Sequence, residues 1–253
     1  MVTAIFPAAG QGKRMEVGIN KVFLELLGKP ILVHTVLAFS NCEAIDDLIV
    51  VVAPEEVAVV TTLLRAVPNL KPWQVIAGST ERQYSIANGL AALHEDTDIV
   101  LVHDGARPLT SAAVITAVVE ESRRSGATVT GVPAKNTIKI VNENQVVMAT
   151  PERNTLWSVQ TPQGFQREII LNAYKKAAED HFLGTDDSSL VERLGIKVKV
   201  VKGDYSNLKI TTPEDFIIAE AFLRKGAVSR LVSGVSTFVS DVKETFKKGV
   251  KKL

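Results

Sequence analysis

Apolar residues along the chain gather into short, nearly continuous runs separated by longer helix-like segments. The runs TAIFPAA (3–9), DLIVVVA (47–53), WQVIAG (73–78), DIVLVHD (98–104) and ATVTGVPA (127–134) predict strands. Between them, residues 29–40, 54–66, 80–95 and 111–125 predict helices. Unbroken β-branched runs, rather than alternating ones, are expected where helices cover both faces of a parallel sheet. Helix-start signals agree: Pro54 precedes Glu55 and Glu56, and Thr80 opens TERQ, the pattern of a capping box. The expected fold class is α/β, a doubly wound, mostly parallel sheet.

The alternation breaks at 135–160. KNTIKIV, NEN and QVVMAT predict two strands joined by a polar turn, a hairpin inserted into the α/β frame. Its apolar residues, Ile138, Ile140, Val141, Val146, Val147 and Met148, fall on both faces. So small a hairpin needs cover, and a second subunit could supply it. The α/β pattern then resumes with helices near 166–182 and 186–194, strands KVKVV and NLKIT, and a helix from Pro213 to about Arg224. Residues 1–225 are thus expected to form one domain with an arm at about 135–157.

Residues 226–253 differ in character, with four more cationic than acidic side chains. Leu231, Val235, Phe238, Val242 and Phe246 recur at helical spacing with lysines around them, so the tail is basic and amphipathic. Gly234 and Gly249 weaken it as an isolated helix. Docking on its own domain or on a dimer mate is favoured over contact with an anionic membrane.

Composition narrows the function. A hydrophobic fraction of 46% in 253 residues is ample for a buried core, and a net charge of +1 gives no reason to expect nucleic-acid binding. Cys42 is the only cysteine, which excludes an intrachain disulfide and a thiolate zinc cluster. The opening residues lack a basic start before a long apolar stretch, and no apolar run approaches the roughly 18 residues of a membrane span. A soluble, cytoplasmic protein is expected.

The first candidate chemistry is PAAGQGKRM (7–15). Gly10 and Gly12 half-match a dinucleotide fingerprint, but Met15 takes the third glycine's place. A Walker loop fails too, with Pro7 in place of its first glycine and Arg14 in place of its Ser/Thr. What remains is a glycine turn after a strand, where backbone N–H groups converge on an anion beside Lys13 and Arg14. An ordinary βα turn with solvated cations is the other reading of these residues.

In VLVHDGARP, Asp104 falls where an apolar strand ends, the edge at which open α/β sheets bind ligands. An aspartate there suits Mg²⁺ shared with substrate phosphates, although capping of the following turn is an alternative. His103, without a partner motif, is expected to be structural, and Lys21 alone resembles any surface lysine. The same holds singly for Thr137, Arg153, Thr161, Thr185 and Lys209; Thr185 is most simply a helix N-cap. No nucleophile–base pair and no His/Glu metal motif stands out in the sequence. That pattern suits nucleotidyl transfer, which needs positioning and charge neutralisation more than an activated nucleophile. A phosphate monoester is already largely dianionic near neutrality and can attack without a general base.

Taken together, PAAGQGKRM, NKVFLELLGKPIL, GSTERQYSIANGL, VHDGARP, KNTIKI, PERNTLW, QTPQGF, GTDDSS and NLKITTPED resemble the 2-C-methyl-D-erythritol 4-phosphate cytidylyltransferase family over residues 3 to about 224. The glycine-rich opening is common to many sugar-phosphate nucleotidyltransferases; the set is specific. Gly105 stands where alanine is common in this family.

The resemblance implies a Rossmann-like nucleotidyltransferase domain with a projecting β-hairpin arm, working as a homodimer with Mg²⁺. Its reaction would join CTP and methylerythritol 4-phosphate, releasing pyrophosphate. By motif position, Arg14 and Lys21 would stabilise the transition state, and Arg153 and Lys209 would position the acceptor. Asp104 would sit at the metal. Ala8, Ala9, Gly10, Gly12, Gly78 and Ser85 would line the nucleotide site, while Arg107, Thr137, Thr161 and Thr185 would hold the acceptor. Two rivals remain open: a ribitol-5-phosphate cytidylyltransferase, and a nucleotide-binding regulatory protein without catalysis.

Overall fold

A computed structural model describes residues 1–10 and 20–224; Gly12, Lys13, Arg14 and the 226–253 tail lie outside the described residues. The chain opens with β1 (Val2–Pro7) and, after a 3₁₀ turn at Lys21–Phe23, makes a minute hairpin of β2 (Glu25–Leu26) and β3 (Lys29–Pro30). Leu27 and Gly28 join them with φ of 49° and 77°, the left-handed pair that a two-residue turn requires. Helix α1 (Ile31–Ser40), β4 (Asp47–Val52), α2 (Val57–Arg65), β5 (Trp73–Ala77), α3 (Arg82–Ala91) and β6 (Ile99–Val102) follow. Then come α4 (Ala112–Ser125), β7 (Ala127–Pro133), a short hairpin of β8 (Ile140–Val141) and β9 (Val147–Ala149), and β10 (Trp157–Gln166). Helices α5 (Arg167–Glu179) and α6 (Asp187–Glu192), strand β11 (Lys199–Lys202) and helix α7 over residues 213–224 complete the described chain.

Among the described residues, the main sheet has seven strands in the order β11-β7-β10-β6-β1-β4-β5. All neighbours are parallel except β10, which runs antiparallel to both β6 and β7. The α/β, mostly parallel expectation therefore holds. From β1 the chain winds outward through β4 and β5, then returns to lay β6 on the other side of β1. The crevice at the carboxyl ends of β1 and β6 is thus the switch point at which such sheets bind ligands.

The unbroken apolar runs are explained by burial on both faces. Ala4, Phe6, Leu48, Val50, Val52, Ile99 and Leu101 pack toward α1, α2 and α4 with Val36, Phe39, Leu64 and Val118. Their sequence neighbours Ile5, Ile49, Val51, Val100 and Val102 face α3 and α5 with Ile86, Leu90, Phe165 and Ile170. Close approach is bought with glycine at Gly164: a Cβ there would lie 2.7 Å from Val118 Cγ1 and 2.9 Å from Thr128 Oγ1.

Four local expectations are corrected. Strand β10 was not among the predicted strands, because WSVQTPQGFQ lacks an apolar rhythm; its buried Gln160, Thr161 and Gln163 serve hydrogen bonds instead. NLKIT is not a strand: Ile210 N–H donates to Ala106 O from irregular backbone. Helix α3 starts at Arg82 with Glu81 at its N-cap and no side-chain cap, so Thr80 does not open a capping box. Helix α6 is capped by Asp186, whose carboxylate accepts from Ser189 N at 2.9 Å, rather than by Thr185. Among the described residues no helix is long and apolar enough to cross a membrane.

Candidate active site

A cavity of about 330 Å³ opens at the carboxyl ends of β1, β5 and β6. Ala8, Ala9 and Gly10 extend from β1, Ser79 to Arg82 from β5, and Asp104 to Ala106 from β6; Lys21, Ser85, Lys209 and Thr211 close the remaining sides. Each wall is fixed by a local device. Ala8 N–H donates to Val51 O at 2.7 Å, and the Asn20 amide donates to Ala8 O at 2.8 Å and to the Glu56 carboxylate at 3.2 Å. Asn20 thereby sets where the chain re-enters and where the neighbouring Lys21 begins. On the β5 side, Gly78 N–H donates to Val52 O, and Ser79 N–H donates to Ser85 Oγ at 2.9 Å. A Cβ on Gly78 would come within 2.8 Å of that Oγ and 3.0 Å of Ala9 Cβ, so Gly78 and Ser85 shape this wall by close packing.

Asp104 is the electrostatic centre. Its Oδ2 lies 3.1 Å from Lys209 Nζ and 3.2 Å from Arg107 Nε, and its Oδ1 lies 3.5 Å from Arg82 Nε. Burial by itself would raise this carboxyl's pKa, but the charges of Lys209, Arg82 and Arg107 prevail and hold it well below the ordinary carboxylate range. Asp104 is therefore ionised at any working pH. With one carboxylate facing a cavity ringed by cations, the donor set suits a Mg²⁺ whose other ligands are phosphate oxygens and water. Among the described residues there is no cluster of three or more His, Cys, Asp or Glu that could hold a metal by itself.

Behind Asp104 lies a buried polar relay. Asp104 N–H donates to Thr161 Oγ1 at 3.0 Å, and that hydroxyl lies 3.0 Å from His103 Nδ1. The other ring nitrogen, Nε2, contacts Arg107 O at 3.1 Å and Thr110 Oγ1 at 3.2 Å. Arg107 O can only accept, so Nε2 carries a proton; with the ring kept neutral by burial, Nδ1 is bare and accepts from Thr161. Complete burial pushes the ring's pKa down to about 3, in keeping with that state. Asn207 completes the relay: its amide donates to Thr161 O, its Oδ1 accepts from Thr110, and its backbone O accepts from Arg107. His103 is structural, as expected.

Of the sequence-predicted residues, Ala8, Ala9, Gly10, Lys21, Ser85, Asp104 and Lys209 line this one cavity, with Gly78 packed beside it. Arg107 and Thr161 stand behind the wall, with polar groups engaged by Asp104. Thr185 lines a smaller adjoining cleft with Arg82, Tyr174 and Asp187. Thr137 and Arg153 are exposed on the arm and away from their own chain's cavity, Arg153 Nη1 reaching Lys135 O at 3.5 Å. Gly12 and Arg14 fall outside the described residues.

The model of the 2-C-methyl-D-erythritol 4-phosphate cytidylyltransferase family matches residues 2–225. The chain belongs to that family. Proteins of that name from Caldanaerobacter subterraneus and Bacillus cereus are 47% and 48% identical to it, each over 88% of this chain, and over 99% and 98% of their own lengths. The crystal structure of 4-diphosphocytidyl-2C-methyl-D-erythritol synthase from Anaerococcus prevotii aligns with a TM-score of 0.80 at 34% identity, covering 88% of this chain and 96% of its own. That of 2-C-methyl-D-erythritol 4-phosphate cytidylyltransferase from Thermus thermophilus gives 0.73 at 31%, covering 88% and 98%.

For this cytidylyltransferase-family chain, the sequence singled out neither Asn20 nor Arg82 nor Asp187. Arg82 carried a usable signal: it lies four residues past the end of the predicted strand 73–78, near the same edge of the sheet at which Asp104 ends another. Asn20 and Asp187 act through partners distant in sequence, Ala8 and Glu56 for one, Arg82 and Tyr174 for the other.

Proposed function

We propose that this cavity transfers a cytidylyl group from CTP to 2-C-methyl-D-erythritol 4-phosphate, releasing pyrophosphate, in the cytoplasm. The observation that carries the reading is the convergence of Lys21, Lys209 and Arg82 with one ionised carboxylate, Asp104, on a cavity floored by Ala8–Gly10. The family match favours methylerythritol phosphate over ribitol phosphate as the acceptor.

The backbone of Ala8–Gly10 and the wall made by Gly78 and Ser85 receive the nucleotide. Lys21, joined by Arg14 on motif position, would stabilise the charge that builds on the α-phosphate and the departing pyrophosphate. Lys209 neutralises the acceptor phosphate, a dianion that attacks the α-phosphorus in line and needs no general base. Asp104 would hold Mg²⁺, which would supply positive charge against that of the phosphates.

Thr137 and Arg153 act from a second copy of the chain. The arm leaves Ile138, Ile140, Val141, Val146, Val147 and Met148 all about half exposed or more, an apolar surface that a partner's arm would cover. A homodimer built this way brings the arm's cation to the neighbouring cavity and completes the acceptor site. Pyrophosphate release with CTP against a panel of polyol phosphates tests the assignment. Turnover with methylerythritol phosphate at least about a hundredfold above ribitol phosphate is expected from a site built to bond its acceptor's hydroxyls. Equal turnover, or none with either, would sink the reading.

A further inference from the structure

Arg82 differs from Lys209 and Arg107, the other cations paired with Asp104, in how it is held. Lys209 and Arg107 share Oδ2 of Asp104, and Arg82 reaches Oδ1 only at 3.5 Å. Its firm anchor is elsewhere: Nη2 and Nη1 meet Asp187 Oδ2 and Oδ1 at 2.8 and 3.2 Å. Asp187, the first residue of α6, is 1% exposed, and its Oδ1 also accepts from Tyr174 OH of α5 at 2.5 Å. A charge buried this deeply costs several kcal/mol unless it is paired, and Arg82 supplies the pairing. The pairing leaves the Nε edge of Arg82 toward the cavity. A free arginine would surrender about 2 kcal/mol of side-chain entropy to be fixed there; the fork to Asp187 fixes it in advance.

We propose that Arg82 is an anion-binding residue of the transfer site, and that Asp187 and Tyr174 are positioning residues that hold its guanidinium beside Asp104. Asp187 does not touch substrate. It orients a cavity cation whose main partner is not Asp104, so that Arg82 stays in place while Asp104 and Lys209 turn to phosphate. The α5–α6 segment, which otherwise looks like scaffolding, thereby governs catalysis. The inference rests on the cytidylyltransferase reading of the cavity.

The test is a double-mutant cycle on the full-length protein: Asp187→Asn, Arg82→Lys, both together, and Tyr174→Phe, each followed by pyrophosphate release and thermal melting. Asp187→Asn should lower kcat about tenfold or more at saturating substrates, with KM for the acceptor moving less than about threefold. In the Arg82→Lys background the same change should cost less than about twofold, since its target is already gone. Tyr174→Phe, which deletes one hydroxyl, should lower kcat about threefold and serves if Asp187→Asn does not fold. Calorimetry supplies a readout free of turnover: the preference for CTP over CMP should narrow in Asp187→Asn. Losses that add in full across the cycle, or a folded Asp187→Asn or Tyr174→Phe with normal kcat, would overturn the proposal. A wild-type enzyme without turnover would instead strike the proposed function, and the CTP/CMP comparison would still decide the role of Asp187.

Discussion

Thr161→Val separates a structural role from substrate contact at a position where the family resemblance and the geometry point apart. The substitution keeps shape and deletes Oγ1, which accepts from Asp104 N–H at 3.0 Å and meets His103 Nδ1 at 3.0 Å. Both Thr161 and His103 are buried, at 5% and 0% exposure, so water cannot readily replace the lost partner. Two buried polar groups become unsatisfied at roughly 1–3 kcal/mol each, about 2–6 kcal/mol together. In a domain of this size, roughly 2–4 °C of melting temperature accompanies each kcal/mol, so Tm should fall by about 4–24 °C. Because Asp104 loses its backbone tether, kcat should also fall, while KM for the acceptor stays near its wild-type value. Thr161→Ser keeps the hydroxyl and should lose only about 1 kcal/mol for its methyl group. Thermal melts and acceptor titrations on the three proteins decide the matter. A Thr161→Val enzyme with unchanged Tm and a raised acceptor KM would refute the relay and make Thr161 a direct ligand of the acceptor phosphate.

Mixing Lys21→Ala with Arg153→Ala subunits should recover part of the activity each lacks, since one of the two hybrid sites keeps both residues; subunit exchange without recovery rules out a shared site. Gly164→Ala should destabilise the fold by about 1–3 kcal/mol through overpacking against Val118, Ser122 and Thr128, measured by urea denaturation, and adding Ser122→Ala should recover part of it. Acid should weaken the protein in two stages. His103, whose folded pKa of about 3 lies below the unfolded 6.5, contributes stability that drains away as pH falls below about 6.5, at about 1.4 kcal/mol per pH unit. Asp104, with its folded pKa depressed, adds a further loss below about pH 4. A stability profile flat between pH 6 and 4 contradicts the neutral, buried assignment of His103.

The frame was legible because burial on both faces leaves an unmistakable trace: β4 and β6 are nothing but DLIVVV and IVLV. Asp104 was legible for a positional reason, the end of such a run. Strand β10 was not, since its inward residues bond rather than pack: Gln163 donates to Asp186 at 2.7 Å and accepts from Ser188 N at 2.8 Å, and Gln160 donates to Asp204 O. Hydrogen-bonding residues carry no periodicity, so a buried polar strand looks like a loop. The same holds for the supporting shell of the site. Thr161, His103, Thr110 and Asn207 come together from three separate stretches, and only the fold brings them together. Thr137 and Arg153 show the converse, residues named from a motif that the fold leaves exposed and away from the chain's own cavity.

The reversed direction of β10 has a consequence for how such an enzyme can change. Because β7 runs with β6 and β10 runs against both, the chain leaves the sheet after Pro133 and re-enters at Trp157 on the edge where the parallel strands end. Ala134 N–H donates to Leu156 O at 2.9 Å and cinches the two ends together. Everything between projects from the sheet as a module, tied to the body by that bond and by Lys135 Nζ over the Tyr205 ring. Lengthening or rewriting it alters reach and partner choice at little entropic cost, while the strand register and the anchorage of Asp104 stay as they are. The arm can therefore change without the scaffold having to be redesigned.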